Sequence, residues 1–255
     1  MQWDTNRWIY NARMNHITRK QRLTSWFWSD EVIRSRYVSD VVLTSTVEIP
    51  APPPRLVADW EREIATRLIL ESGDVEEMPL ARARARWPEY RQCVQAVADW
   101  TCAQGLPGVL AASDVALMVC RGARYHHDGE QYGSAVFCNL FVSDDKGLDL
   151  HFPSVDLRIP LTQGTVVIFD TCQPHGVIQR RSSGFDNADF PAEQDFTQLF
   201  LTWELPVEDE HVTRALNVVF DIAPSTSKRP DEEQVWLKGA RVALCPNSGQ
   251  WVEAQ

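Results

Sequence analysis

The sequence predicts a mainly β fold with flanking helices, an α+β chain built around a jelly-roll, and three observations carry that prediction. Short runs rich in β-branched and aromatic residues follow one another from about 114 to 205: DVALMVCR, SAVFCNLFVS, LDLHFP, VDLRIP, TVVIFD, HGVIQR and FTQLFLTWEL. The breaks between them contain Gly, Asp, Pro or Ser and are too short for a crossover helix, so neighbouring strands should pair antiparallel. Upstream lie two apolar stripes at helical spacing, which need a sheet to cover.

The elements follow in order. Within residues 1–50 the stretch SDVVLTSTVEI, near 39–49, has the β-branched content of a strand, and APPPR then breaks the chain. Leu56, Trp60, Ile64 and Leu68 recur every four residues among charges, which predicts an amphipathic helix entered at Pro54 and stopped near Gly73. A second helix is expected from Pro88 to about Gln104, with Tyr90, Val94, Val97 and Trp100 on one side and Gly105 as its stop. After Pro206, RALNVVFDIA reads as a further strand, and the EDE and DEE clusters read as solvated faces. The expected organisation is one domain over 1–255: N-terminal strands and supporting helices (1–110), the β core (114–205) and a C-terminal extension (206–255).

With 255 residues, 44% of them hydrophobic, and 10 Trp, the chain can bury a substantial core. Its formal charge of −10 argues against gripping phosphate backbones, which draws on concentrated Lys and Arg. Cys93, Cys102, Cys120, Cys138, Cys172 and Cys245 are scattered without a C-x-x-C pair, so neither a disulfide framework nor a structural zinc is expected. The opening MQWDTNRWIYNARMNHITRK lacks the apolar centre of a secretory signal, and no window reaches the ~18 apolar residues of a membrane span. The expectation is a cytoplasmic protein.

Chemistry concentrates in RYHHDGEQYG, residues 124–133. His126 and Asp128 flank one residue, and on an extended strand positions i and i+2 share a face. His175 opens the run HGVIQR, 175 − 126 = 49 residues later. Together the three would form a 2-His-1-carboxylate set, which holds a divalent iron on one side and leaves the other open. A competing reading makes His-x-Asp a chance tripeptide and His175 a capped or surface residue of a non-catalytic β-sandwich that binds a partner. On the same strand His127 would point away from the site and pack, and His151 would face solvent; His16 and His211 have no site role.

Five pieces shift the weighting between these readings: YHHD, CNLFVSDD, KGLDLHFP, IPLTQGTVVIFD and PHGV, in that order. Over about residues 114–205 they resemble the Fe(II)/2-oxoglutarate-dependent dioxygenase superfamily, in particular its prolyl-hydroxylase-like branch. The resemblance implies a double-stranded β-helix of the jelly-roll or cupin-like kind, with His126, Asp128 and His175 as ligands of Fe(II). It also implies 2-oxoglutarate as cosubstrate and O2 as oxidant. Hydroxylation is the implied outcome, because the family's halogenases carry a small residue where this chain has Asp128. The implied substrate is an amino acid, a peptidyl side chain or a small metabolite, with nucleic acid and membrane disfavoured.

One departure stands out. The family anchors the far carboxylate of 2-oxoglutarate with Arg or Lys about ten residues past the distal histidine, where this chain has Gly184 and Phe185 within SSGFDNADFPAEQD. Continuing the alternation from His175 through 177 and 179 makes Arg181 the first choice for the clamp and Arg180 the second. Gln198 would add a neutral hydrogen bond, Asn139 and Phe141 would face inward, where the resemblance implies a polar or aromatic residue against the cosubstrate and makes Asn139 a further binding candidate, and Arg121, Arg124 and Arg158 are reserves. The 182–195 insertion reads either as a lid recognising an amine or guanidine, or as a surface loop. The missing cation also keeps open a cupin-like metalloenzyme that uses no 2-oxoglutarate.

Overall fold

A computed structural model describes residues 9–10, 22–68, 70–222 and 231–253. Its larger sheet runs, in spatial order, β1 (Ile9–Tyr10), β4 (Val42–Thr46), β11 (Thr165–Asp170), β8 (Ala135–Phe141), β13 (Thr197–Pro206), β6 (Val115–Arg121) and β5 (Val75–Met78). The facing sheet runs β10 (Leu157–Pro160), β9 (Leu148–Phe152), β12 (His175–Gln179) and β7 (Ala123–His126), and every pairing in both is antiparallel. From β6 to β13 the chain passes back and forth between the two sheets, which is the winding of a double-stranded β-helix.

Period-two alternation decides which side chains enter the barrel. On β8, Val136, Cys138 and Leu140 join the cluster on the helix side, whereas Phe137 and Phe141 join the barrel interior. On β13, Leu199, Leu201, Trp203 and Leu205 face the helices while Phe200 faces inward. The small sheet contributes Leu148, Leu150, Phe152, Ile159 and Val177 to the same interior.

Helices α1 (Pro54–Arg67), α2 (Leu80–Arg84) and α3 (Tyr90–Ala103) cover the outer face of the large sheet. Trp60, Trp87 and Tyr90 meet edge to face there, at centroid distances of 5.3 and 5.5 Å. α1 stops short of the expected Gly73; Leu68 is already extended, and Gly73 (φ +95) instead turns the chain where a Cβ would lie 2.7 Å from Phe185. Gly105 (φ +84) does follow the C-cap of α3. RALNVVFDIA is not a strand. Asp209 caps α4 (Glu210–Ala215) by accepting the N–H groups of His211 and Val212, Asn217 and Asp221 take positive φ, and only Phe220 makes an isolated bridge, to Arg36.

A third sheet, unread in the sequence, joins distant segments in the order β16 (Trp251–Glu253), β15 (Ala240–Leu244), β14 (Gln234–Leu237), β2 (Leu23–Ser29), β3 (Val32–Tyr37). From it Arg36 reaches Asp170 at the end of β11, at 2.5 and 2.8 Å, with both side chains at 0% exposure. Arg36 also donates to the carbonyl of Gly133, and Asp170 accepts the N–H groups of Ser39 and Cys172. Among the described residues no helix is long and apolar enough to cross a membrane.

Two predictions follow from this burial. Asp170→Asn leaves the guanidinium buried beside a neutral group, so the urea midpoint should fall by an amount worth about 3–5 kcal/mol, whereas Arg36→Met with Asp170→Leu should recover most of it. Burial pushes the thiols of Cys120 and Cys172 up to about 12, that of Cys93 up to about 11, and that of Cys138 upward too. Hydrogen bonds from Ser248 and nearby backbone hold Cys245 below its usual value. A maleimide at neutral pH should therefore label Cys245 first and exposed Cys102 next, and reach the other four only after denaturation, as peptide mapping would show.

Candidate metal centre

β7 ends at His126, which lies opposite His175, the first residue of β12, in the antiparallel register. Asp128 is not on the strand. It sits in the following turn, where its N–H donates to the Thr171 carbonyl at 2.8 Å and its own carbonyl accepts the N–H groups of Gln131 and Tyr132. The strand-alternation argument for this pair does not hold, because β7 ends at His126 and the turn supplies the geometry of Asp128.

Each imidazole is oriented by a backbone carbonyl. His126 Nδ1 lies 2.7 Å from the Arg124 oxygen and His175 Nδ1 lies 2.9 Å from the Gln173 oxygen. A carbonyl only accepts, so both Nδ1 atoms carry hydrogen and both Nε2 atoms present lone pairs. Those Nε2 atoms stand 3.6 and 3.5 Å from the two Asp128 carboxylate oxygens. One ligand atom from each of His126, Asp128 and His175 falls within 4.8 Å of the others. Neighbouring ligands at about 2.1 Å on an octahedral ion are about 3 Å apart, so a small contraction would close the set on a cation. Two neutral imidazoles and one carboxylate also suit a borderline divalent ion such as Fe(II).

The surroundings favour a neutral ring at His175. Burial, reinforced by the nearby His126, holds His175 well below the ordinary histidine value, and loss of water raises the Asp128 carboxyl. Phe169 packs edge-on to His175 at 4.7 Å and Phe152 lies 6.2 Å away. His127 turns away, as expected, to lie against Trp251 at 6.0 Å. The turn itself leans on the third sheet: Glu233 accepts the N–H groups of Gly133 and Trp28, and a Cβ on Gly129 would fall 2.6 Å from Val235 and 2.7 Å from the Cys172 sulfur.

The proposed carboxylate clamp is not where the alternation placed it. β12 ends at Gln179, and Arg180 and Arg181 lie in the exposed turn beyond it. Arg180 is bound to Asp145 and Asp149, both at 2.9 Å. The reserves are engaged as well: Arg121 with the carbonyls of Phe190, Pro191 and Gln194, Arg124 with Asp74, and Arg158 with the carbonyl of Ser182. Strands β8, β9, β11, β12 and β13 carry no Arg or Lys, and Arg124, two residues before His126 on β7, is the one already engaged with Asp74.

Asn139 and Phe141 do face inward. Asn139 (6% exposed) and Thr202 (8%), paired across β8 and β13, have their Oδ1 and Oγ1 buried without a hydrogen-bond partner. Gln198 is fully buried, with Nε2 donating to the Asp144 carbonyl at 3.3 Å and Oε1 unpartnered. Thr202 was missed, although it lies four residues along from Gln198 on the same face. His151 is not a surface residue: its Nδ1 meets the Tyr125 hydroxyl at 2.5 Å, beneath residues 246–249. The 182–195 insertion is a largely exposed loop anchored by Phe185 and Phe190, which are buried and stack at 5.3 Å. Its acids are occupied too, Asp186 capping Asn187–Asp189, Asp189 accepting from Ser182, and Asp195 paired with Lys146.

Comparison with known proteins gives distant matches only. No family model matches the chain, and no curated protein matches it. Among solved structures the chain is similar to a prolyl-4-hydroxylase of Pseudomonas putida, at 16% identity and a TM-score of 0.38 over 65% of this chain and 92% of that one. It is also similar to the viral collagen prolyl hydroxylase of Paramecium Bursaria Chlorella virus-1 in complex with 2-oxoglutarate, at 10% identity and 0.39 over 65% and 94%. A third likeness is to EvdO2 of Micromonospora carbonacea var. aurantiaca complexed with 2-oxoglutarate, at 11% identity and 0.38 over 66% and 88%. What strand order and register define is a double-stranded β-helix.

The convergence itself is open to test by Co(II) titration followed through the visible absorption of the bound ion. His127→Ala should keep the parent stoichiometry, whereas His126→Ala and His175→Ala should each weaken binding by at least about tenfold.

Proposed function

We propose that this protein is an Fe(II)- and 2-oxoglutarate-dependent oxygenase that hydroxylates an amino acid, a peptidyl side chain or a small metabolite. The observation that carries this reading is the approach of His126, Asp128 and His175 to one another at one end of the barrel, with both imidazoles pre-oriented by carbonyls. When bound, iron would supply the oxidising chemistry by which O2 and the 2-oxo acid are consumed to oxygenate a C–H bond.

The chain's own part is positional. The Arg124 and Gln173 carbonyls keep both rings turned toward the ion, so little reorganisation is needed on binding. Asp128 is fixed by its N–H bond to Thr171 and supplies the single negative charge of the set. Phe152 and Phe169 exclude water from the buried side, leaving the approach past Tyr132 and Phe137, which meet at 5.1 Å. Glu77 and Asp114 stand close enough to Glu204 to help desolvation raise its carboxyl. An acidic neighbourhood of that kind disfavours a polyanionic substrate such as nucleic acid.

A second reading, a cupin-like metalloenzyme without 2-oxoglutarate, is favoured by the absence of Arg or Lys from β8, β9, β11, β12 and β13. Anaerobic Fe(II) titration with and without 2-oxoglutarate separates the two. Our reading expects a visible charge-transfer band only with both present, lost in His175→Ala and Asp128→Ala, and succinate formation once O2 is admitted. Iron uptake with no band and no succinate would select the cupin-like enzyme.

A further inference from the structure

The inward-facing residues of the large sheet form successive rows down the barrel. Phe137 lies opposite Phe169 and Glu204; the next row pairs Asn139 with Val167 and Thr202; beyond it Phe141 lies opposite Phe200. Rows two residues apart are separated by about 7 Å along a strand. The first is the metal's row, since Phe169 packs on His175. The third is filled by two rings, Phe141 and Phe200, which lie 5.0 Å apart at a tilt of 30°, with buried Gln198 two residues away on β13. Between the two lies the row with two orphaned polar atoms, Asn139 Oδ1 and Thr202 Oγ1, facing each other across one strand pair.

Buried polar groups are rarely left unpaired, and a pair of them in one row of an apolar barrel is the mark of an absent partner. That partner must be polar, one row from the metal, and able to bond an amide and a hydroxyl at once. Building on the cosubstrate reading above, we propose that Asn139 and Thr202 hold the far end of the 2-oxo acid by neutral hydrogen bonds, in place of a cation. The Thr202 hydroxyl donates to the ligand, and Asn139 turns its amide to offer N–H or C=O as the ligand's end requires. No buried cation is stranded when that end is uncharged, so the site should discriminate weakly between charged and uncharged 2-oxo acids.

The experiment is calorimetric titration of Mn(II)-loaded protein, without turnover, using 2-oxoglutarate and 2-oxoglutaramate, the same five-carbon chain with its distal carboxylate replaced by an uncharged amide of the same size. The two should bind within about tenfold of each other, because with no cation in the row the carboxylate gains only the roughly twofold strengthening of hydrogen bonds to an ionised acceptor. Thr202→Val, close to isosteric, and Asn139→Leu should each weaken 2-oxoglutarate by at least about fivefold with Mn(II) uptake unchanged, and Thr202→Ser should keep parent affinity. Discrimination of about tenfold or more, or an effect of Arg180→Ala or Arg181→Ala where Thr202→Val has none, overturns the neutral clamp. Mn(II) uptake without binding of either acid overturns both the clamp and the cosubstrate reading and leaves the metal site standing; loss of Mn(II) uptake in the parent overturns all three.

Discussion

The metal-facing end of the barrel depends on one buried ion pair. Arg36, from the third sheet, grips Asp170 at the end of β11 and the Gly133 carbonyl at the end of the turn that carries Asp128. Immediately after Asp170 come the two carbonyls that orient the site, Thr171 receiving the Asp128 N–H and Gln173 receiving His175 Nδ1–H. Removing two charges from water is costly, and a pair of this kind adds little net stability over apolar residues of the same volume. Its return is geometric. One planar guanidinium ties two turns, thirty-seven residues apart in sequence, into a fixed relation, and both ligand arms hang from those turns.

The β core was legible because it obeys a local rule. The runs of the large sheet alternate between an apolar helix face and an apolar barrel face, and most run ends from 115 to 206 are marked by Gly, Pro, Asp or Ser, so the observed strands fall within a residue or two of the runs read from sequence. The third sheet breaks that rule. β2 pairs with β14 across some two hundred residues, and its strands mix Trp, Ser, Arg and Gln on half-exposed faces. Nothing in the local pattern of either strand announces the other.

At the site, residue identity was more legible than geometry. The imidazoles and carboxylate were found by spacing, yet Asp128 gets its position from a turn, and the Arg180–Arg181 pair was misplaced because no residue signals the end of β12 at Gln179. Alternation is reliable only while the strand lasts. His151 and two aromatics of the 182–195 insertion show the converse limit: they lie in stretches that look solvent-facing by composition, yet His151 is covered by Tyr125, and Phe185 and Phe190 are buried against Gly73 and Gly122. Polar composition says how a segment meets water only if nothing else covers it.

The support beneath the Asp128 turn has a temporal side. Gly133 and Gly129 rest on Glu233 and Val235, residues that leave the ribosome about a hundred positions after the turn itself. A nascent chain can lay down every barrel strand through β13 and still lack the props beneath its carboxylate arm. On the proposed reading, competence to capture a cation would arrive near the end of synthesis, and a product cut short before β14 would lack the support of its carboxylate arm.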